Sequence, residues 1–190
     1  MKKILLVFAL FIVANIAKSQ INIGLKGGLN ISKISGTIQF SSIPSFAVGA
    51  YTQIPLNDNI DFQPEIIYNA TGGKFETAKT KLNYINLPLL AKYNVANTDL
   101  SIIGGPQLGL VLSANTTSEG ITESIKQEVN SFEFSGVTGL QYSLSDKFII
   151  GSRYQFGLSN IFKTTDVSEI FPLSISLKNS VFNFYVGINL

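Results

Sequence analysis

Six ionisable side chains could do chemistry in this sequence: Lys26, Asp61, Glu65, Lys92, Glu133 and Arg153. Each falls on the polar side of an alternating apolar/polar run, so in a strand all six point to the same face. Three are acidic and three basic, and their charges cancel. Lys26, Glu65 and Arg153 fall at similar depth along their runs. Charges confined to a narrow interior must be paired or hydrated, so the spacing predicts that Glu65 pairs with Lys26 or Arg153. Such a network either plugs the interior and fixes strand register or lines a narrow pore, and the tight interior expected here favours the plug.

Other chemistry is excluded by composition. The chain has no His and no Cys. A Ser-His-acid site is therefore impossible, as are thiolate catalysis and thiolate metal sites. Barrel-embedded acyltransferases and lipases depend on His, so that class drops out. Asp61 and Glu65 are two carboxylates with no hydrolase motif around them. Gly104-Gly105-Pro106 and Gly72-Gly73-Lys74 do not lead from a strand into a helix and so are not phosphate loops. We read the first as a strand kink and the second as a loop tip. Glu119, Glu123 and Glu128, with Lys126 among them, lack the spacing of a calcium loop. No catalytic, cofactor-binding or metal-ligating residue is assigned.

Residues 1–19 read as an export signal. Lys2 and Lys3 precede a short apolar core, Ile4 to Ile16, and Ala17 and Ser19 place small residues before a cleavage point at Gln20. The core is too short for a membrane helix and Asn15 interrupts it. Removing Lys2, Lys3 and Lys18 takes 14 basic side chains to 11 against 12 acidic ones, so the remaining chain carries −1 rather than +2. Nothing in that balance suits nucleic acid. Residues 20–190 have the length of one domain.

The elements that would position the six charges are strands. From Asn179 to Leu190, Phe182, Phe184, Val186, Ile188 and Leu190 alternate with Asn183, Tyr185, Gly187 and Asn189. Similar runs fall near 21–31, 44–56, 60–70, 81–94, 99–113, 131–144 and 147–159. Most reach the ~9–11 residues that a tilted strand needs to cross the hydrocarbon layer. Tight turns at Asn57-Asp58-Asn59, Ala96-Asn97-Thr98 and Ser145-Asp146 alternate with longer polar segments near 32–43, 71–80, 114–130 and 160–178. Short turns on one side and long loops on the other are the connectivity of an outer-membrane barrel. The fold class predicted is all-β: an eight-stranded antiparallel up-and-down transmembrane β-barrel.

Which face meets lipid follows from the polar side. It carries Gly24, Gly28, Gly49, Gly105, Gly109, Gly139, Gly151, Gly157 and Gly187. Glycine weakens a solvent-facing strand, whereas an eight-stranded interior needs small residues. The apolar side is therefore outward. Its aromatics gather at two levels, as interfacial belts do: Phe46, Tyr68, Phe132, Phe134, Phe182 and Phe184 at one, Phe62, Tyr93, Tyr142 and Phe148 at the other. A soluble barrel with an apolar ligand inside is the opposite assignment, and extraction without detergent distinguishes it.

Several runs carry a family resemblance. Gly24-Leu25-Lys26-Gly27-Gly28-Leu29-Asn30 resembles the opening of the PorT-like outer-membrane β-barrel family. So do Phe62-Gln63-Pro64-Glu65-Ile66-Ile67-Tyr68, the run from Tyr84 to Tyr93, and Gly104-Gly105-Pro106-Gln107-Leu108-Gly109. The resemblance implies a small Gram-negative outer-membrane barrel with OmpX- and OmpA-like architecture. Its expected partners are outer-membrane lipid and the barrel-assembly machinery, with an external or periplasmic protein partner left open. The function expected is non-enzymatic, with a side-chain-filled lumen and external loops that bind or support. Alternatives are a narrow channel for small or apolar solutes and an accessory of a secretion system. Loop 160–178 also holds an apolar run, Ile170-Phe171-Pro172-Leu173, able to fold over the barrel mouth.

Overall fold

The structure, a computed structural model, describes residues 21–37, 40–163 and 176–190. The signal segment and the Ile170–Leu173 run lie outside the described residues. Eight long strands form the wall: β1 Asn22–Gly36, β2 Ile43–Pro55, β3 Ile60–Phe75, β4 Ala78–Asn94, β5 Leu100–Ser118, β7 Phe132–Ser143, β8 Phe148–Gly157 and β9 Leu177–Asn189. A short strand, β6 Ile121–Ser124, folds back on the end of β5. Every pairing is antiparallel, and the sheet closes because β1 pairs with both β2 and β9 while β4 pairs with β5. Closure leaves no edge, the one sheet arrangement that satisfies all backbone groups in lipid.

The outward face is apolar. Leu29 is 72 % exposed, Val186 63 % and Phe132 61 %, a pattern that suits lipid and would be untenable in water. Ring pairs line this surface: Phe46 with Tyr68 at 5.8 Å, and Phe182 with Phe184 at 5.0 Å. Tyr154 joins the girdle between Phe156 and Phe182. A barrel closed in this way is expected to resist SDS until heated, so unheated and boiled samples should run at different gel mobilities; a single mobility would contradict closure.

Two connections differ from the sequence expectation. The segment 71–80 is not a loop: β3 and β4 continue outward in register to Phe75↔Ala78 around Glu76 and Thr77. Gly72-Gly73-Lys74 therefore lies within a strand, not at a loop tip. Likewise 114–130 is largely ordered as the end of β5, its hairpin with β6 and a bridge from Val129 to Phe162. Beyond the bilayer the strands face water, so Ser, Thr, Gly and Lys replace the apolar outward residues and the pattern that marks a membrane strand disappears.

Candidate functional site

The interior is built in layers. Near the short-turn end, Asp61 and Lys92 are register partners and form an ion pair at 3.2 Å. Asn94 Nδ2 donates to Asp61 Oδ2 at 3.1 Å, and Ser101 Oγ donates to Asn94 Oδ1 at 2.9 Å. Leu90, Ile103 and Val137 fill the space just above.

The next layer holds three of the charged residues. Glu65 accepts from Lys26 Nζ through one carboxylate oxygen and from Arg153 Nη1, at 2.8 Å, through the other. Gln63 Nε2 adds a donor to Glu65 at 2.7 Å. All are buried. β1, β3 and β8 each contribute one member, so the triad ties together strands that are not all neighbours. Tyr185 and Tyr51 complete the layer. The Lys26 ammonium lies 4.7 Å from the Tyr185 ring centre and 5.6 Å from that of Tyr51, distances at which a ring face stabilises a cation. These rings need glycine beneath them: a Cβ on Gly24 would come within 2.3 Å of Tyr51, and one on Gly151 within 2.4 Å of Tyr185. A recess lined by Lys26, Arg153, Asn183 and Tyr185 measures about 10 Å³, room for one water at most.

An amide layer follows. Asn183 donates to Asn30 at 2.7 Å, Asn30 to Asn69 at 2.8 Å, and Asn69 to Gln155 at 3.2 Å. Glu133 stands apart from the other five charges. It has no basic partner among the described residues and accepts from Asn179 Nδ2, which also donates to Tyr84 Oη at 3.0 Å.

The outermost layer was missed by sequence reasoning. Ile34, Leu82, Tyr84, Val111, Ala114, Val129, Ile161 and Leu177 form a buried apolar cluster across the long-connection end, with Phe40, Ile125 and Phe162 against it. The interior thus turns from polar to apolar where the wall leaves the lipid. Ile34 and Leu82 do lie at inward parity, so that signal was present. Ala114 does not, because Leu112 is an extra residue in β5: Tyr84 pairs with Val111 and Asn83 with Ser113. The bulge reverses the phase beyond it. A recess of about 710 Å³ lies outside the wall beside Gly27, Ser152 and Val186, where lipid chains run. No group of three or more His, Cys, Asp or Glu is placed to hold a metal ion among the described residues.

The same architecture occurs in solved outer-membrane proteins. Neisserial surface protein A is similar with a TM-score of 0.60 at 13% identity, over 87% of this chain and 96% of that one. Ail, the attachment invasion locus protein of Yersinia pestis, is similar with a TM-score of 0.54 at 16% identity, over 89% and 98%. At these identities the likeness concerns the fold. A search of curated proteins returned no match. Residues 14–163 match the family model described as the outer membrane protein beta-barrel domain. An apolar girdle, a closed eight-stranded wall and a match over most of the sequence lead to one conclusion: the chain belongs to the outer membrane protein beta-barrel family and resides, surrounded by lipid, in the outer membrane.

Proposed function

We propose that this protein is a non-enzymatic barrel whose lumen is sealed by its own side chains and whose external end serves a binding or structural role. The observation that carries this reading is the double closure of the interior. The buried Lys26–Glu65–Arg153 triad, flanked by Tyr51 and Tyr185, spans the interior at one level, and the apolar cluster around Ile34 and Leu82 covers the external end. An ion crossing such a lumen would have to break a desolvated charge network and then pass a dry layer. In this reading the six lumen charges, Lys26, Asp61, Glu65, Lys92, Glu133 and Arg153, hold register instead of conducting. Planar-bilayer recordings of the purified protein test it. No discrete openings are expected, whereas stepwise conductance abolished by blocking the lumen would replace this reading with the channel.

The finer family placement and the route to the membrane belong to the same proposal. The runs at 24–30, 62–68, 84–93 and 104–109 support membership of the PorT-like group. Cleavage before Gln20 would release a barrel of residues 20–190. The outward row Phe182, Phe184, Val186, Ile188 and Leu190 is a hydrophobic strand face that the barrel-assembly machinery could engage. An intact mass beginning at Gln20 is expected for protein recovered from the outer membrane; a mass retaining Met1 would refute the cleavage.

A further inference from the structure

Of the six lumen charges, Glu133 alone has no opposite charge among the described residues. Lys26 and Arg153 are engaged by Glu65, and Lys92 by Asp61. The remaining described lysines form no ion pair with Glu133, and the segments 38–39 and 164–175 contain no Lys or Arg at all. The groups that face its carboxylate are Tyr84, Asn179 and Gln155, all neutral. Glu133 is only 3 % exposed. A carboxylate enclosed in this way without a cation is costly, so the missing positive charge must come from outside the chain.

Two oxygens at this level are left without a hydrogen bond. Asn179 Nδ2 donates to Glu133 Oε2 and to Tyr84 Oη, while Glu133 Oε1 and Asn179 Oδ1 have no partner and are fully shielded. Asn179 is itself 2 % exposed. Buried polar atoms are rarely left in this state, and two on hydrogen-bonded neighbours ask for a shared ligand. The wall also leaves clearance opposite the carboxylate. Gly109 is the register partner of Glu133, and a Cβ there would come within 2.7 Å of Asn86 Oδ1 and 3.2 Å of the Tyr84 ring.

We propose that Glu133 Oε1, Asn179 Oδ1 and the Tyr84 hydroxyl form a binding site for one small monovalent metal cation, of the sodium class. The donor set is entirely oxygen, which suits a hard cation. Its single negative charge is neutralised by one positive charge, whereas a divalent ion would leave a buried charge behind. A cation gathers several oxygens at once, whereas a proton bridges only two. Tyr84 also belongs to the apolar cluster at the external end, so the bound ion fastens that cluster on β4 to β7 and β9. The site holds an ion and does not pass it on, since the dry layer lies immediately beyond.

Purified protein in detergent, unfolded by urea in sodium chloride or in choline chloride at the same pH and ionic strength, provides the test. Equal ionic strength holds screening constant. Sodium should raise the urea midpoint of the gel-mobility shift. In the saturating range, each tenfold rise in sodium should multiply the folding equilibrium constant about tenfold. Glu133→Gln keeps the shape and removes the charge, and its midpoint should be the same in both salts. If that variant does not assemble, Asn179→Ala, which retains the carboxylate, should need more sodium than the wild type for half the gain. Equal midpoints for the wild type in sodium and choline would overturn the inference, as would a sodium gain that survives unchanged in Glu133→Gln or Asn179→Ala. A wild-type midpoint that ignores sodium but follows pH, with that dependence lost in Glu133→Gln, would overturn it by showing that a proton supplies the charge.

Discussion

Glu65→Ala is expected to lower the unfolding free energy of the barrel by about 3–5 kcal/mol, the usual consequence of leaving buried charges without their partner. Two cations depend on this carboxylate. Lys26 and Arg153 each donate to one of its oxygens, and all three side chains are almost fully enclosed. Removing it leaves two neighbouring positive charges, with the Tyr185 and Tyr51 ring faces as weak substitutes. The urea midpoint of the gel-mobility shift gives the measurement. A variant in which Lys26, Glu65 and Arg153 are all replaced by Met or Leu should recover much of the loss, because the desolvation penalty disappears together with the attraction. An unchanged midpoint in Glu65→Ala would show that water already serves these charges, and the sealed-lumen reading would fail with it.

The second large effect concerns Tyr185. Its ring fills the space above Gly151, faces the Lys26 and Arg153 cations, and its hydroxyl donates to Gln141 Oε1 at 3.2 Å. Tyr185→Ala should cost about 3–5 kcal/mol by leaving a cavity that Tyr51 and Ile149, the other buried members of this cluster, are too far committed to fill. Tyr185→Phe keeps the ring and loses one hydrogen bond, so about 0.5–1.5 kcal/mol is expected. The ratio between the two matters more than either value. Comparable losses would mean that the hydroxyl, not the ring, holds the layer together. Gly151→Ala approaches the problem from the other side, since its methyl would meet both the Tyr185 ring and the Leu140 carbonyl.

Parity made the membrane-level interior legible in the sequence. Within the bilayer every strand alternates without interruption, so counting in twos along the sequence puts Lys26, Glu65 and Arg153 on one face. The external end resisted the same reading for three physical reasons. Polarity inverts where lipid gives way to water, so Thr71, Lys79 and Thr116 resemble loop residues although they lie in strands. The extra residue at Leu112 changes phase, and counting past it sends Ala114 to the wrong side. Finally, the β3–β4 turn uses Glu76 at φ 50°, a left-handed conformation usually left to Gly, Asn or Asp. Asn97, at φ 60°, shows the usual case, and its turn was evident from composition. The grouping of Tyr84, Glu133 and Asn179 was invisible for a different reason: the three are scattered over the chain, on β4, β7 and β9, and only closure of the barrel brings them together.

The seam between β1 and β9 has a kinetic consequence. Its register runs from Gly24↔Asn189 to Gly36↔Leu177, joining the two ends of the domain. Every other pair of neighbouring wall strands is joined by a single connection, so those hairpins can form as soon as both strands exist. The seam cannot form until β9 has been delivered. Until then β1 and β9 each present a row of open backbone groups, and the search that unites them closes a loop nearly as long as the domain. The chain must therefore reach the bilayer whole and unfinished, kept from pairing with strangers on the way, and it becomes a barrel in one late step.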